Sequence, residues 1–196
     1  MLHEREESLA TARSAREGYG SPMSEGIVLP AVPRGYLLPV GERVARLEEA
    51  LPQIRAALDG ETDAVAMEAT LACLLWETLV QTNWCGFYRR VAEELLAVGP
   101  YQGTIGCLRI EFSRGVCGAA ARSGEVQLVP DVHALPHHIA CDDRTRAELV
   151  VPVKAGGRVH AVLDLDSPHL DAFSRDEADR LQALVKEIFD RPEVVW

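Results

Sequence analysis

Two apolar runs, AELVVPV at 147–153 and VHAVLDLDS at 159–167, flank the dipeptide Gly156-Gly157, and no other feature of the chain limits its fold so tightly. Val-rich and Leu-rich runs around such a pair predict a β-hairpin. Side chains alternate along a strand, so Asp164 and Asp166 share one face while Ala161, Leu163 and Leu165 share the other. The loop decides where Glu148 lies. A strict two-residue loop opposes it to Leu165, on the wrong face. A three-residue loop or a bulge pairs it with Asp164, and that is the expected arrangement.

Four further segments read as strands: NWCGFYRR, ELLAVG, CLRIEF and EVQLVPDV, with GPYQG as a turn-rich connection after the second. In the first, Trp84, Gly86 and Tyr88 point one way, Cys85 and Phe87 the other. In CLRIEF, Leu108, Ile110 and Phe112 share a face, and Cys107 sits with the polar side chains. Helical spacing marks ERVARLEEALPQIRAAL, interrupted at Pro52, and AVAMEATLACLLWETLVQ, capped by Thr62 or Asp63. Cys73 in the latter reads as a small buried hydrophobe. RGVCGAAARSG is a short helix between glycines. Ser174 followed by Glu177 opens a packing helix with a capping-box pattern. Helices, strands, a short helix, strands and a last helix make an α+β domain on an antiparallel sheet. Residues 1–39, with three prolines after position 26, read as a poorly ordered extension, and 40–196 as the folded domain.

Composition narrows the function. A length of 196 residues suits one domain with a sizeable core. A net charge of -10 argues against a partner that is nucleic acid, because such binding relies on Lys and Arg neutralising phosphates. No run approaches the roughly 20 apolar residues a membrane span needs, and the opening MLHEREESLA lacks a secretory signal, so the expected location is the cytoplasm. Five cysteines is an odd number for a set of structural disulfides. Cys107, Cys117 and Cys141 contain no C-x-x-C spacing, which disfavours a metal. Cys117 lies near a helix start, where the macrodipole favours a thiolate. Asp142 and Asp143 beside Cys141 should raise its pKa instead. Two aspartates and a third acid on one face need a cation among them or a retained proton. A substrate ammonium supplies the first, and a raised pKa makes a proton donor of the second.

NWCGFY, GPYQGTIGCLRI, RGVCG, DVH, HIACD, AELVVPV and VLDLDS, in this order, resemble the GAF-domain free methionine-(R)-sulfoxide reductases over about residues 40 to 190. The resemblance implies a GAF fold, a central antiparallel sheet flanked by helices, with 40–196 as its catalytic domain. It also implies reduction of free L-methionine-(R)-sulfoxide with electrons from thioredoxin, and no metal or organic cofactor. By position, Cys141 is then the nucleophile, Cys107 the resolving cysteine that forms a disulfide with it, and Cys117 an auxiliary. Trp84 and Tyr88 surround the sulfoxide's methyl end, and Glu148, Asp164 and Asp166 hold the substrate amino group. Small GAF proteins often pair through helices, so a homodimer is a further expectation. Cys85 and Ala147 depart from the family pattern, which usually has a small aliphatic residue and a hydroxyl residue there. Two other classes remain: a GAF sensor that binds a small molecule without chemistry, and a thiol redox switch.

Overall fold

Gly156 and Gly157 adopt φ angles of 57° and 79°, the left-handed region that a two-residue hairpin turn demands. The turn joins β5 (Ala147–Ala155) to β6 (Arg158–Ser167). Ala155 opposes Arg158 and Lys154 opposes Val159, but a bulge follows, and Val153 opposes Ala161. The extra residue therefore belongs to β6. It moves the partner of Glu148 from Leu165 to Asp166, and Val150 takes the place opposite Asp164. The expected pairing of Glu148 with Asp164 is corrected, although all three acids still share one face.

This computed structural model describes residues 27–135 and 142–196. Among them are also β1 (Trp84–Ala92), β2 (Leu95–Gly103), β3 (Arg109–Glu111) and β4 (Gln127–Val129). Every pairing is antiparallel, in the order β3-β2-β1-β6-β5-β4. The helices are α1 (Val40–Ala57), α2 (Ala64–Thr78), α3 (Gly115–Ser123) and α4 (Arg175–Phe189). The chain thus has the expected α+β architecture, a curled antiparallel sheet with helices on both faces.

Alternation divides the core. Leu47, Leu71, Phe87, Leu149, Leu163 and Leu184 form the cluster beneath α1, α2 and α4. Trp84, Tyr88, Ile110, Cys117, Val150 and Val162 form a second cluster beneath α3. Each fully buried Leu or Phe contributes about 1.5–3 kcal/mol, so the three-helix face carries most of the stability. The α3 face is thinner and holds Glu148, Asp164 and Asp166.

Caps and ion pairs fix the helices. Asp63 accepts a hydrogen bond from the backbone N–H of Ala66, and Ser174 with Glu177 completes the capping box of α4. Buried Glu177 also accepts from Arg43 Nε at 3.1 Å, tying α1 to α4.

Several local expectations change. Helix α1 runs unbroken through Pro52. Leu47, Ala50 and Ile54 around it are fully buried, and their packing outweighs the roughly 3 kcal/mol that a mid-helix proline costs. GPYQG is part of β2, because Trp84, Cys85 and Gly86 pair with Gly103, Gln102 and Tyr101. Leu108 is exposed, since β3 pairs with only Leu95–Ala97 and starts after it. Cys73 is exposed too, facing away from the sheet. Residues 1–26 of the proposed extension lie outside the described residues. Ile27, Leu29 and Leu37 pack on the larger core, and the Arg34 guanidinium lies 3.5 Å over the Trp76 ring. Among the described residues, no helix is long and apolar enough to cross a membrane.

Candidate active site

Trp84 and Tyr88 lie four residues apart in β1, an even spacing, and so project to the α3 face, as alternation predicts. Their rings stack with centroids 5.3 Å apart and planes 17° apart. Tyr101 also stacks on Trp84, with centroids 5.3 Å apart. Cys85 is buried in the opposite cluster, away from these rings. Gly106 closes the aromatic wall. A Cβ there would stand 2.7 Å from Tyr88 Oη and 3.2 Å from Trp84 Nε1, so no other residue fits without moving one of them. The backbone N–H of Cys107 donates to the Tyr88 hydroxyl, which fixes the ring against the β2–β3 connection.

Beside this wall, on the same face of the sheet, stand the acids, with Trp84 paired to Asp166 and Gly86 to Asp164. Asp164 and Asp166 come from β6 and Glu148 from β5; Glu148 and Asp164 are buried and Asp166 is partly buried. Cys117, in the first turn of α3, donates to Glu148 Oε1 with sulfur and oxygen 3.9 Å apart. One ligating atom from each of Cys117, Glu148 and Asp164 lies within 4.8 Å of the others, a spacing that suits a small cation. These residues, with Trp84 and Tyr88, line one pocket with a cavity volume of about 40 Å³.

The electrostatics follow from burial. No Lys or Arg is among the described residues lining the pocket. Burial lifts Asp164 to about 7. Burial, then the Asp164 and Asp166 charges, push Glu148 well above the usual carboxylate range. Asp166 rises through burial, Asp164 and Asp142. Burial and mutual repulsion thus favour the protonated forms of these acids, and a nearby cation would favour the ionised ones. Asp164 Oδ1 is buried without a hydrogen bond, which typically costs about 1–3 kcal/mol and leaves an acceptor for a ligand.

Cys117 overturns one expectation. Its helix-start position predicts the most acidic thiol, but burial and the neighbouring carboxylates push its pKa well up. A weak dipole cannot offset three acids at close range. Cys73, Cys85 and Cys117 carry free thiols, whereas Cys107, partly buried at the pocket's edge, is disulfide-bonded. Cys141 lies outside the described residues, as do His137 and His138.

The site also contains residues to which the sequence reading gave no binding role. Asp142 and Thr145 line it, together with Ile105, Ile110 and Val116. Asp142 accepts from Thr104 Oγ1 at 3.0 Å and Asn83 Nδ2 at 3.2 Å, and it pairs with Arg144 at 2.8 Å. Arg144 above all holds its carboxyl well below the usual range. Asp142 thus keeps a charge that its neighbours compensate. Its sequence signals, the end of HIACD and the D-x-R spacing to Arg144, say nothing of Thr104 or Asn83.

Comparison with known proteins adds family to geometry. A GAF-domain family model matches residues 47–188. Protein YtsP of Bacillus subtilis is 41% identical over 140 residues, 71% of this chain and 85% of the relative. The free methionine-R-sulfoxide reductase of Escherichia coli is 39% identical over 133 residues, 68% of this chain and 80% of that enzyme. The X-ray structure of free methionine-R-sulfoxide reductase from Neisseria meningitidis, in complex with its substrate, matches with a TM-score of 0.71. It is 40% identical, and the match covers 78% of this chain and 91% of that one. The chain belongs to the GAF-domain family and is homologous to the free methionine-R-sulfoxide reductases.

Proposed function

We propose that the protein reduces free L-methionine-(R)-sulfoxide to methionine, drawing electrons from a thioredoxin-type dithiol. The observation that carries this reading is the pocket's polarity: the aromatic rings of Trp84 and Tyr88 share it with Glu148, Asp164 and Asp166, and no cationic side chain is among the described lining residues. A free amino acid meets both halves. Its ammonium replaces the protons held by the acids, and its methyl sulfoxide end packs on the rings. Methionine within a peptide has no such ammonium.

The resemblance, through the position of Cys141 in HIACD, makes Cys141 the nucleophile of this reading. Its thiolate attacks the sulfoxide sulfur while Glu148 or Asp164, each kept protonated by burial, gives a proton to the departing oxygen. Methionine leaves, and Cys141 is left as a sulfenic acid. Cys107 condenses with it, releasing water and forming a disulfide that a dithiol reopens by exchange. The disulfide-bonded state of Cys107 supports its resolving role. Cys117 is the auxiliary: its protonated thiol donates to Glu148 and keeps that carboxyl oriented. Such thiol chemistry suits a reducing compartment, the cytoplasm.

A thioredoxin-coupled assay with free R and S sulfoxides and a peptide-bound sulfoxide tests the reading. Turnover with the free R form is expected. Equal rates with R and S, or none with either, would leave a redox switch or a binding domain instead.

A further inference from the structure

Resting on that proposed reaction, we propose that the apolar surface around Cys107, carried by Ile105 and Leu108, is the docking site for a protein dithiol reductant. Exposed apolar residues scattered singly are ordinary. Here Ile105 is 76% exposed and Leu108 is 68% exposed, one on each side of the partly buried, disulfide-bonded Cys107. Tyr101, exposed at the end of β2, extends the same stretch. Residues 101–108, YQGTIGCL, contain no Asp, Glu, Lys or Arg, although the chain carries a net charge of -10. An attacking thiolate therefore meets no carboxylate from this segment.

The surface is also held in place. The backbone N–H of Val98 donates to Leu108 O at 3.2 Å, Thr104 donates to Asp142, and the Cys107 N–H donates to Tyr88 Oη. Leu108 packs neither in the core nor in the pocket, and Ile105, which touches the pocket, still leaves most of its side chain exposed beside the reducible bond. A small thiol gains nothing from them. A protein dithiol gains buried apolar area around the sulfur it must reach, as in the small interfaces of transient redox partners.

The exchange balances with that partner as the reductant. One partner thiolate attacks Cys107 Sγ, forming a mixed disulfide and expelling the other sulfur, assigned above to Cys141, as a thiolate. The partner's second thiol then attacks its own half of the mixed disulfide and releases Cys107 as a thiolate. Two electrons pass to this chain, and the partner leaves oxidised.

Leu108 lies outside the pocket lining, so Leu108→Ser and Leu108→Glu separate docking from catalysis. With thioredoxin as reductant, kcat/KM for thioredoxin should fall about tenfold or more, more for Glu than for Ser. With dithiothreitol, sulfoxide turnover should stay at the parent rate. Unchanged thioredoxin kinetics, or an equal loss with both reductants, would overturn the docking site. A parent protein that turns over no sulfoxide with dithiothreitol would instead overturn the reaction, and the docking proposal with it.

Discussion

Glu148 and Asp166 face each other across the β5–β6 pair, with Asp164 two residues away on the same face. One bulge in β6 produces this relationship, and burial makes it consequential. Carboxyls this close cannot all ionise in a dry pocket, so they exchange a proton economy for a cation when substrate arrives.

Stability should depend on pH through Asp164. Its folded pKa is about 7, above the unfolded value near 3.9. Stability from the protonated form is therefore fully present below about pH 4 and is lost as pH rises through about 7. Without ligand, the protein should melt at a lower temperature at pH 8 than at pH 5.5. Asp164→Asn should flatten that dependence, as a melting series across pH would show.

Ammonium recognition should fail first when one acid is neutralised. A hydrogen bond to a charged group contributes about 1.5–3 kcal/mol, so Asp164→Asn should raise KM for free methionine sulfoxide about 10- to 100-fold. Glu148→Gln should also lower kcat, since it removes a proton donor. Steady-state kinetics on the two variants separate these effects.

Gly106→Ala should damage the aromatic wall. The new methyl falls 2.7 Å from Tyr88 Oη, and overpacking of this kind costs about 1–3 kcal/mol. A reduced denaturation midpoint, with an altered near-ultraviolet circular dichroism spectrum, is the expected result.

The Arg43–Glu177 pair should matter more when broken than when replaced. Glu177→Leu leaves buried Arg43 unpaired and removes half of a capping box, a loss of about 3–5 kcal/mol in urea unfolding. Adding Arg43→Met should recover part of that loss.

Cys117→Ser should still release one equivalent of methionine in a single turnover, because this thiol is buried and held protonated. Cys141→Ser should release none. Rapid quench of reduced protein with substrate distinguishes them.

Much of the site is legible as a sequence. Alternation alone puts Asp164 with Asp166, and Trp84 with Tyr88, while sending Cys85 to the other face. The caps at Asp63 and Ser174 also follow from local residue types. Pro52 and GPYQG mislead for a shared reason: breaker residues describe local preference, and here α1 is held by buried neighbours and β2 by its pairing with β1.

The chain by itself determined which side chains share a face, because strand and helix periods are properties of neighbouring residues. Only the tertiary structure decided that Glu148 opposes Asp166, that Cys117 is a protonated thiol, and that Asp142 joins the pocket through Asn83, Thr104 and Arg144. Register, solvation and charge compensation arise from contacts between segments far apart in sequence. Local pattern does not encode them.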